Sequence, residues 1–143
     1  MKLIPVALAI FYRQTDVLEV WTQRRTDDGI YHGLMEFPGG KIEVNETPLE
    51  ACIREVEEEV GIRVEPKDAT FMGIYPNYLE KRTILLNVFL FADPSSLDHK
   101  GQWMKIDGGG LSSHLRGIIP TPNHEIIDDL YRSLYISCYK DLK

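Results

Sequence analysis

Hydrophobic positions along this chain follow two periods, and the switch between them marks its elements. Leu3 to Arg13 is an almost unbroken apolar run, which reads as a buried strand. After a turn at Gln14-Thr15-Asp16, a second strand is expected over Val17 to Arg24. Thr26 to Gly33 is polar and reads as a loop, and Leu34 to Phe37 is a short extended piece stopped by Pro38-Gly39-Gly40. Further strands are expected at Ile42 to Val44, Ile62 to Val64, Thr70 to Tyr75, Thr83 to Ala92 and Gln102 to Ile106. Gly108-Gly109-Gly110 reads as a hinge or turn, because it lacks the Lys-Ser/Thr pair of a phosphate-binding P-loop.

Two segments change to helical spacing. Leu49, Cys52, Ile53, Val56 and Val60 recur at that period. Thr47 is a good N-cap, Pro48 suits the first helical position, Glu50 completes a capping box, and Gly61 is a fitting stop. Ile126, Ile127, Leu130, Tyr131, Leu134 and Cys138 mark a second amphipathic helix, opened by Pro120 to Asn123. Strands fill the first two thirds and helices are few. That order predicts an α+β architecture, an α/β/α sandwich with a mixed sheet between helices.

Bulk properties narrow the picture only a little. A chain of 143 residues suits one domain spanning 1–143, and 43% hydrophobic with 27% charged content excludes a disordered one. A net charge of −6 argues against a nonspecific nucleic-acid binder, so no stable nucleic-acid partner is expected. An acidic protein can still bind a polyanion through local cations or metal ions. Cys52 and Cys138 fall on the apolar sides of the two helices and read as small buried thiols. Ala7-Leu8-Ala9 mimics a signal-peptidase site, but the apolar run before it is too short and continues as a strand. No segment is long enough to span a membrane, so a cytoplasmic location is expected, as a monomer or homodimer.

The candidate chemistry sits on the first helix. At roughly 100° per residue, Glu55, Glu58 and Glu59 fall on one arc away from the apolar stripe. Their i,i+3 and i,i+4 spacing makes like charges repel, and Arg54 is the only basic residue within the helix. A solvated acidic face is the plain alternative. Two features favour a metal site instead. The acids lie toward the C-terminal half, where the macrodipole disfavours them, and a Gly-Gly loop precedes the helix. Carboxylates, a backbone carbonyl and water form the hard oxygen set that magnesium prefers, with manganese as a substitute.

The segment from Gly40 runs through Glu46 to Arg54-Glu55, Glu58-Glu59 and Gly61-Ile62. It resembles the Nudix box at every fixed position. The lead-in Met35-Glu36-Phe37-Pro38-Gly39-Gly40-Lys41-Ile42-Glu43, with Arg24-Arg25, Gln102-Trp103-Met104 and Pro122-Asn123, is similar to the MutT subgroup of 8-oxo-guanine nucleotide hydrolases. The resemblance implies the Nudix fold, with a magnesium site formed by Glu55, Glu58, Glu59 and the Gly39 carbonyl. It implies that Arg54 orients the glutamates and that Glu46 supports the loop. One position departs: MutT-like chains carry a glutamate just before the Trp-Met pair, where this chain has Gln102. An amide cannot take a proton at neutral pH. Either Glu55 is the base alone, or Glu80 or Asp98 supplies the missing charge.

On the substrate side, Lys41 and Arg25 are candidates for phosphate or base edge, with plain surface cations as the alternative. Asn123 suits the adjacent O6 and N7–H of an oxidised guanine, because an amide both donates and accepts; a helix N-cap is its other reading. Phe37 and Tyr78 would wall or stack the base, unless they are simple core aromatics. The expected activity is magnesium-dependent cleavage of a nucleoside triphosphate to NMP and pyrophosphate. The rivals are Nudix chemistry on ADP-ribose, a nucleotide sugar, a dinucleotide polyphosphate or capped RNA, and a nucleotide-binding module without turnover. The intact box argues against the module. The chain begins at its first strand, which leaves little room for the extra N-terminal strands of nucleotide-sugar enzymes.

Overall fold

The computed structural model describes residues 2–25, 33–97, 101–106, 117 and 121–141, the last helix with side chains through 133. Residues 26–32 of the expected loop, Asp98, Gly108-Gly109-Gly110, Pro120, and the side chains of Leu134 and Cys138 lie outside the described residues. The strands are β1 (Lys2–Gln14), β2 (Leu18–Arg24), β3 (Met35–Glu36), β4 (Gly39–Lys41), β5 (Thr70–Tyr78), β6 (Arg82–Ala92) and β7 (Gly101–Ile106). Helix α1 is Pro48–Val60 and α2 is His124–Asp141, with 3₁₀ turns at Pro66–Asp68 and Thr121–Asn123.

The strands form a mixed sheet in the order β3-β2-β1-β6-β5, with β4 paired to β1 and β7 to β2. β1 and β6 run parallel in register from Lys2↔Arg82 to Tyr12↔Ala92. β2 pairs with β1 only at Tyr12, Arg13 and Gln14. Farther back along β1, β4 takes over at Val6, Ala7 and Leu8. The β2 arm therefore leaves β1, and a cleft opens on this side of the sheet.

Alternation along the strands divides the core between the two faces. Leu8, Ile10, Val20 and Val88 pack with Ile126, Ile127 and Leu130 under α2. Ala7, Ala9, Phe11 and Trp21 pack with Ala51, Cys52 and Val56 under α1. Buried Cys52 has its thiol pushed up to about 12 by burial, as an inert core group should. This is the sandwich expected from the order of elements. Helix α1 also forms as its caps dictate. Thr47 accepts from the Glu50 N–H, the Glu50 side chain accepts from the Thr47 N–H, and Gly61 closes the helix at φ 81°.

Two strand expectations are corrected. Pro38-Gly39-Gly40 was expected to end an extended piece, with a strand at Ile42 to Val44; instead Gly39 and Gly40 are themselves in β4, and 42–44 form no strand. A Cβ on Gly39 would collide with the Ala7 carbonyl, so only glycine can approach β1 this closely. Ile62 to Val64 was expected as a strand but has no strand partner; Val64 is buried against the α1 side of the core without one.

Candidate active site

The loop between β4 and α1 is folded back by Arg54. Its Nε donates to Glu46 Oε2 at 2.7 Å and its Nη2 to Glu46 Oε1 at 3.0 Å, a two-pronged pair. Nη2 also donates to the Lys41 carbonyl at 3.0 Å. Nη1 donates to Glu55 Oε1 at 2.9 Å and to Glu58 Oε2 at 3.4 Å. One guanidinium thus joins the loop to two of the three glutamates. Arg54 and the Glu43 N–H hold the Glu46 carboxyl at about 2, well below the usual carboxylate range. Glu46 faces Arg54 and the Glu43 N–H.

The three glutamates occupy different surroundings. Glu55 is 15% exposed, and a Cβ on Gly40 would collide with its carboxyl group. The second glycine therefore exists to let Glu55 lie on the loop backbone. Glu58 is 60% exposed and is reached by Arg54. Glu59 Oε2 accepts from the Gly39 N–H at 3.1 Å and from Gln23 Nε2 at 3.0 Å. Although Glu59 is exposed as a residue, its carboxyl end is enclosed, and that desolvation pushes it up to about 7. The charges of Glu55 and Glu36 act in the same direction, while the Gly39 N–H and the Gln23 amide oppose it.

Glu59 lines a cleft of about 890 Å³, and Glu55, Glu58 and Arg54 lie outside its lining. Its floor is apolar: Ile4, Val6 and Leu8 of β1, with Ile84 and Leu86 of β6. Of the residues singled out in the sequence, Arg25, Phe37, Gly39, Lys41, Glu59 and Asn123 line it. Arg25 pairs with Glu36 at 3.0 Å. Phe37, 3% exposed, also belongs to the core under α2. Asn123, 7% exposed, ends the 3₁₀ turn before α2. Tyr78 is not brought in: it is 76% exposed at the end of β5 and does not line the cleft. Glu80 lies exposed in the β5–β6 turn, also outside the lining.

The structure adds Gln23, which sequence reasoning passed over, and gives a place to Glu36, which it quoted only as part of the lead-in. They are register partners across β2 and β3. Alternation could have found Gln23, since it is two residues beyond Trp21, which packs under α1. Gln102 is on the other face. Its register partner is Thr22, and its neighbour two residues on, Met104, packs under α2. The side chain at 102 therefore does not face Glu59.

Among the described residues, no three acidic, Cys or His side chains already converge as a finished metal cage. The donor chemistry nevertheless fits a hard divalent cation. Glu55 lies against Gly40, Glu59 is bonded to the Gly39 N–H, and Glu58 shares the Arg54 guanidinium with Glu55, so three carboxylates are held along one helix within reach of the glycine loop. Gly39 meets the cluster here through its N–H.

A family model of the NUDIX domain matches residues 2–109. The chain belongs to the Nudix family. Among curated Nudix relatives, the 8-oxo-dGTP diphosphatase of Escherichia coli (strain K12) is 44% identical over 62 residues, 43% of this chain and 46% of that protein. The putative 8-oxo-dGTP diphosphatase YtkD of Bacillus subtilis (strain 168) is 34% identical over 98 residues, 68% of this chain and 53% of that protein. An RNA pyrophosphohydrolase of Halorhodospira halophila is 36% identical over 75 residues, covering 52% and 38%. The matched segments span about half the length of these relatives or less. The crystal structure of a MutT protein from Methanosarcina mazei Go1 superposes with a TM-score of 0.68 at 20% identity, over 92% of this chain and 95% of that one. That likeness establishes the Nudix fold. No helix among the described residues is long and apolar enough to cross a membrane.

Proposed function

We propose that this Nudix chain hydrolyses nucleoside triphosphates to NMP and pyrophosphate, with an oxidised guanine nucleotide as its preferred substrate. One observation carries the reading: Glu59 of the box helix and the glycine loop that carries Gly39 and Gly40 line a cleft whose wall also holds Asn123 and Phe37. The named activities of the E. coli and B. subtilis relatives support the substrate class.

When bound, Mg²⁺ or Mn²⁺ supplies Lewis acidity toward phosphate oxygens and water. Glu55, Glu58 and Glu59 would hold it, with the Gly39 carbonyl as a further donor. Glu55, oriented by Arg54, takes the proton of the attacking water. Arg25 and Lys41 meet phosphate or base edge. Asn123 reads the base, donating to O6 and accepting from N7–H, while Phe37 forms the wall beside it. Water adds to one phosphorus of the α,β-phosphoanhydride, the bond from that phosphorus to the bridging oxygen breaks, and the two halves separate as NMP and pyrophosphate.

The test is a substrate panel in magnesium, scored for both products, with 8-oxo-dGTP, dGTP, ADP-ribose and 5′-triphosphate RNA. Preferred turnover of 8-oxo-dGTP is the expected result. Equal use of ADP-ribose, with no preference between 8-oxo-dGTP and dGTP, would sink the assignment. The RNA arm answers the similarity to an RNA pyrophosphohydrolase.

A further inference from the structure

Glu59 differs from the other two glutamates in what holds it. Glu55 and Glu58 share a guanidinium, a full positive charge. Glu59 is held by two neutral donors, the Gly39 N–H and the Gln23 amide, both on Oε2. Gln23 sits in a cross-strand row between Glu36 of β3 and Gly101 of β7. On one side of it is a carboxylate, and on the other there is no side chain, because a Cβ on Gly101 would collide with the Trp21 ring. Ionised Glu36 and Glu59 are both acceptor-only. An acid at position 23 would add a third like charge, and a lysine or arginine would neutralise the carboxylate. A neutral amide orients Glu59 and leaves its charge for a ligand. Because the NH₂ end is committed to Glu59, the choice of amide rotamer is fixed by this contact.

We propose that Gln23 is the positioning residue of Glu59, fixing its carboxylate for divalent-cation binding from the strand opposite the box helix. The proposal rests on the metal role of the box glutamates.

The test measures Mn²⁺ binding without nucleotide, by the loss of the free-ion electron paramagnetic resonance signal, on the wild type, Gln23→Met, Glu59→Gln and the double variant. Gln23→Met keeps the length of the side chain and removes the donor; Gln23→Leu serves in its place if thermal melting shows that the first variant is unfolded. Loss of an outer partner of a metal ligand weakens binding by about 10- to 100-fold, and that is expected for Gln23→Met. In the Glu59→Gln background the same change should cost less than about twofold, because a residue acting through Glu59 has nothing left to act on. Glu59→Gln weakening binding while Gln23→Met binds as the wild type overturns the proposal and leaves the metal site standing. An undiminished Gln23 effect in the Glu59→Gln background overturns it as well. Wild-type affinity in Glu59→Gln removes Glu59 from the metal set, and the proposal with it.

Discussion

At the glutamate end of the site, which meets the cleft through Glu59, the residues Glu46, Glu55 and Glu58 share one guanidinium, and Glu59 is bound to Gly39 and Gln23. At the end proposed to meet the base, Asn123 lines the cleft together with Ile and Leu side chains of β1 and β6. The first end is a network in which moving one member moves the others. The second is a set of separate contacts. Substitutions at the glutamate end should therefore be strongly non-additive, while those at the Asn123 end should act singly and change which nucleotide is chosen.

The largest effect is expected from Glu55→Gln, which keeps shape and removes the proton acceptor. Turnover should fall about 10²- to 10⁴-fold with the melting transition unchanged. Pyrophosphate release near the wild-type rate would take Glu55 out of the role of base. Adding Arg54→Ala to this variant should cost far less than the same change in the wild type, and a full additive loss would break the picture of a network.

The two loop glycines sharpen the contrast within a single strand. Gly40→Ala sets a methyl against the end of a flexible side chain, Glu55, so the fold should survive while turnover drops about 100-fold, the scale of a misplaced catalytic group. Gly39→Ala sets it against the Ala7 carbonyl, which is backbone, so the loss should appear in melting temperature. Similar melting temperatures for the two variants would refute this division of roles.

At the other end, Asn123→Ala should lower the preference for 8-oxo-dGTP over dGTP by about 10-fold or more, the worth of one or two hydrogen bonds to the base. The measurement is the ratio of kcat/KM for the two nucleotides. An unchanged ratio would return Asn123 to the role of helix cap.

Acidity separates the ends again. The Glu59 carboxyl sits at about 7 instead of the ordinary 4.5. The metal-free fold therefore holds an extra proton between those values. The resulting stability is fully present below about 4.5 and is lost as pH rises through about 7. A cation must displace that proton, so Mn²⁺ affinity should fall by up to about tenfold per unit below pH 7. A flat profile from pH 5 to 8 would separate Glu59 from the cation site.

The same contrast explains what the sequence revealed. The glutamate end lies almost wholly within residues 39–59, so capping residues and helical phase could set Glu55, Glu58 and Glu59 on one arc of α1, and the resemblance added Arg54. Gln23 was missed, and Glu36 was given no role, because they are brought together across the sheet through a register that no local pattern states. Gly39 and Gly40 were read as a stop because glycine ends many strands; close approach to Ala7 and Glu55 is visible only once β1 and α1 are in place. The base end draws on β1, β3, β6 and the turn before α2, so its members could be proposed one at a time but not assembled.

Tyr78 provides the smallest expected effect. An aromatic residue near the end of a strand is a reasonable candidate for stacking on a base. Strand direction decides otherwise, because β5 alternates. Asn77 lines the cleft and Tyr78, one residue later, points to the opposite face with 76% of its surface exposed. Tyr78→Ser should therefore leave kcat/KM for 8-oxo-dGTP within about twofold of the wild type, since surface changes away from a site move little. Asn77→Ala, one position away and inside the cleft, should change it more. If the two variants exchanged ranks, the alternation that assigns residues to the cleft would be wrong at this strand end, and the base end would have to be redrawn to include the exposed face of β5.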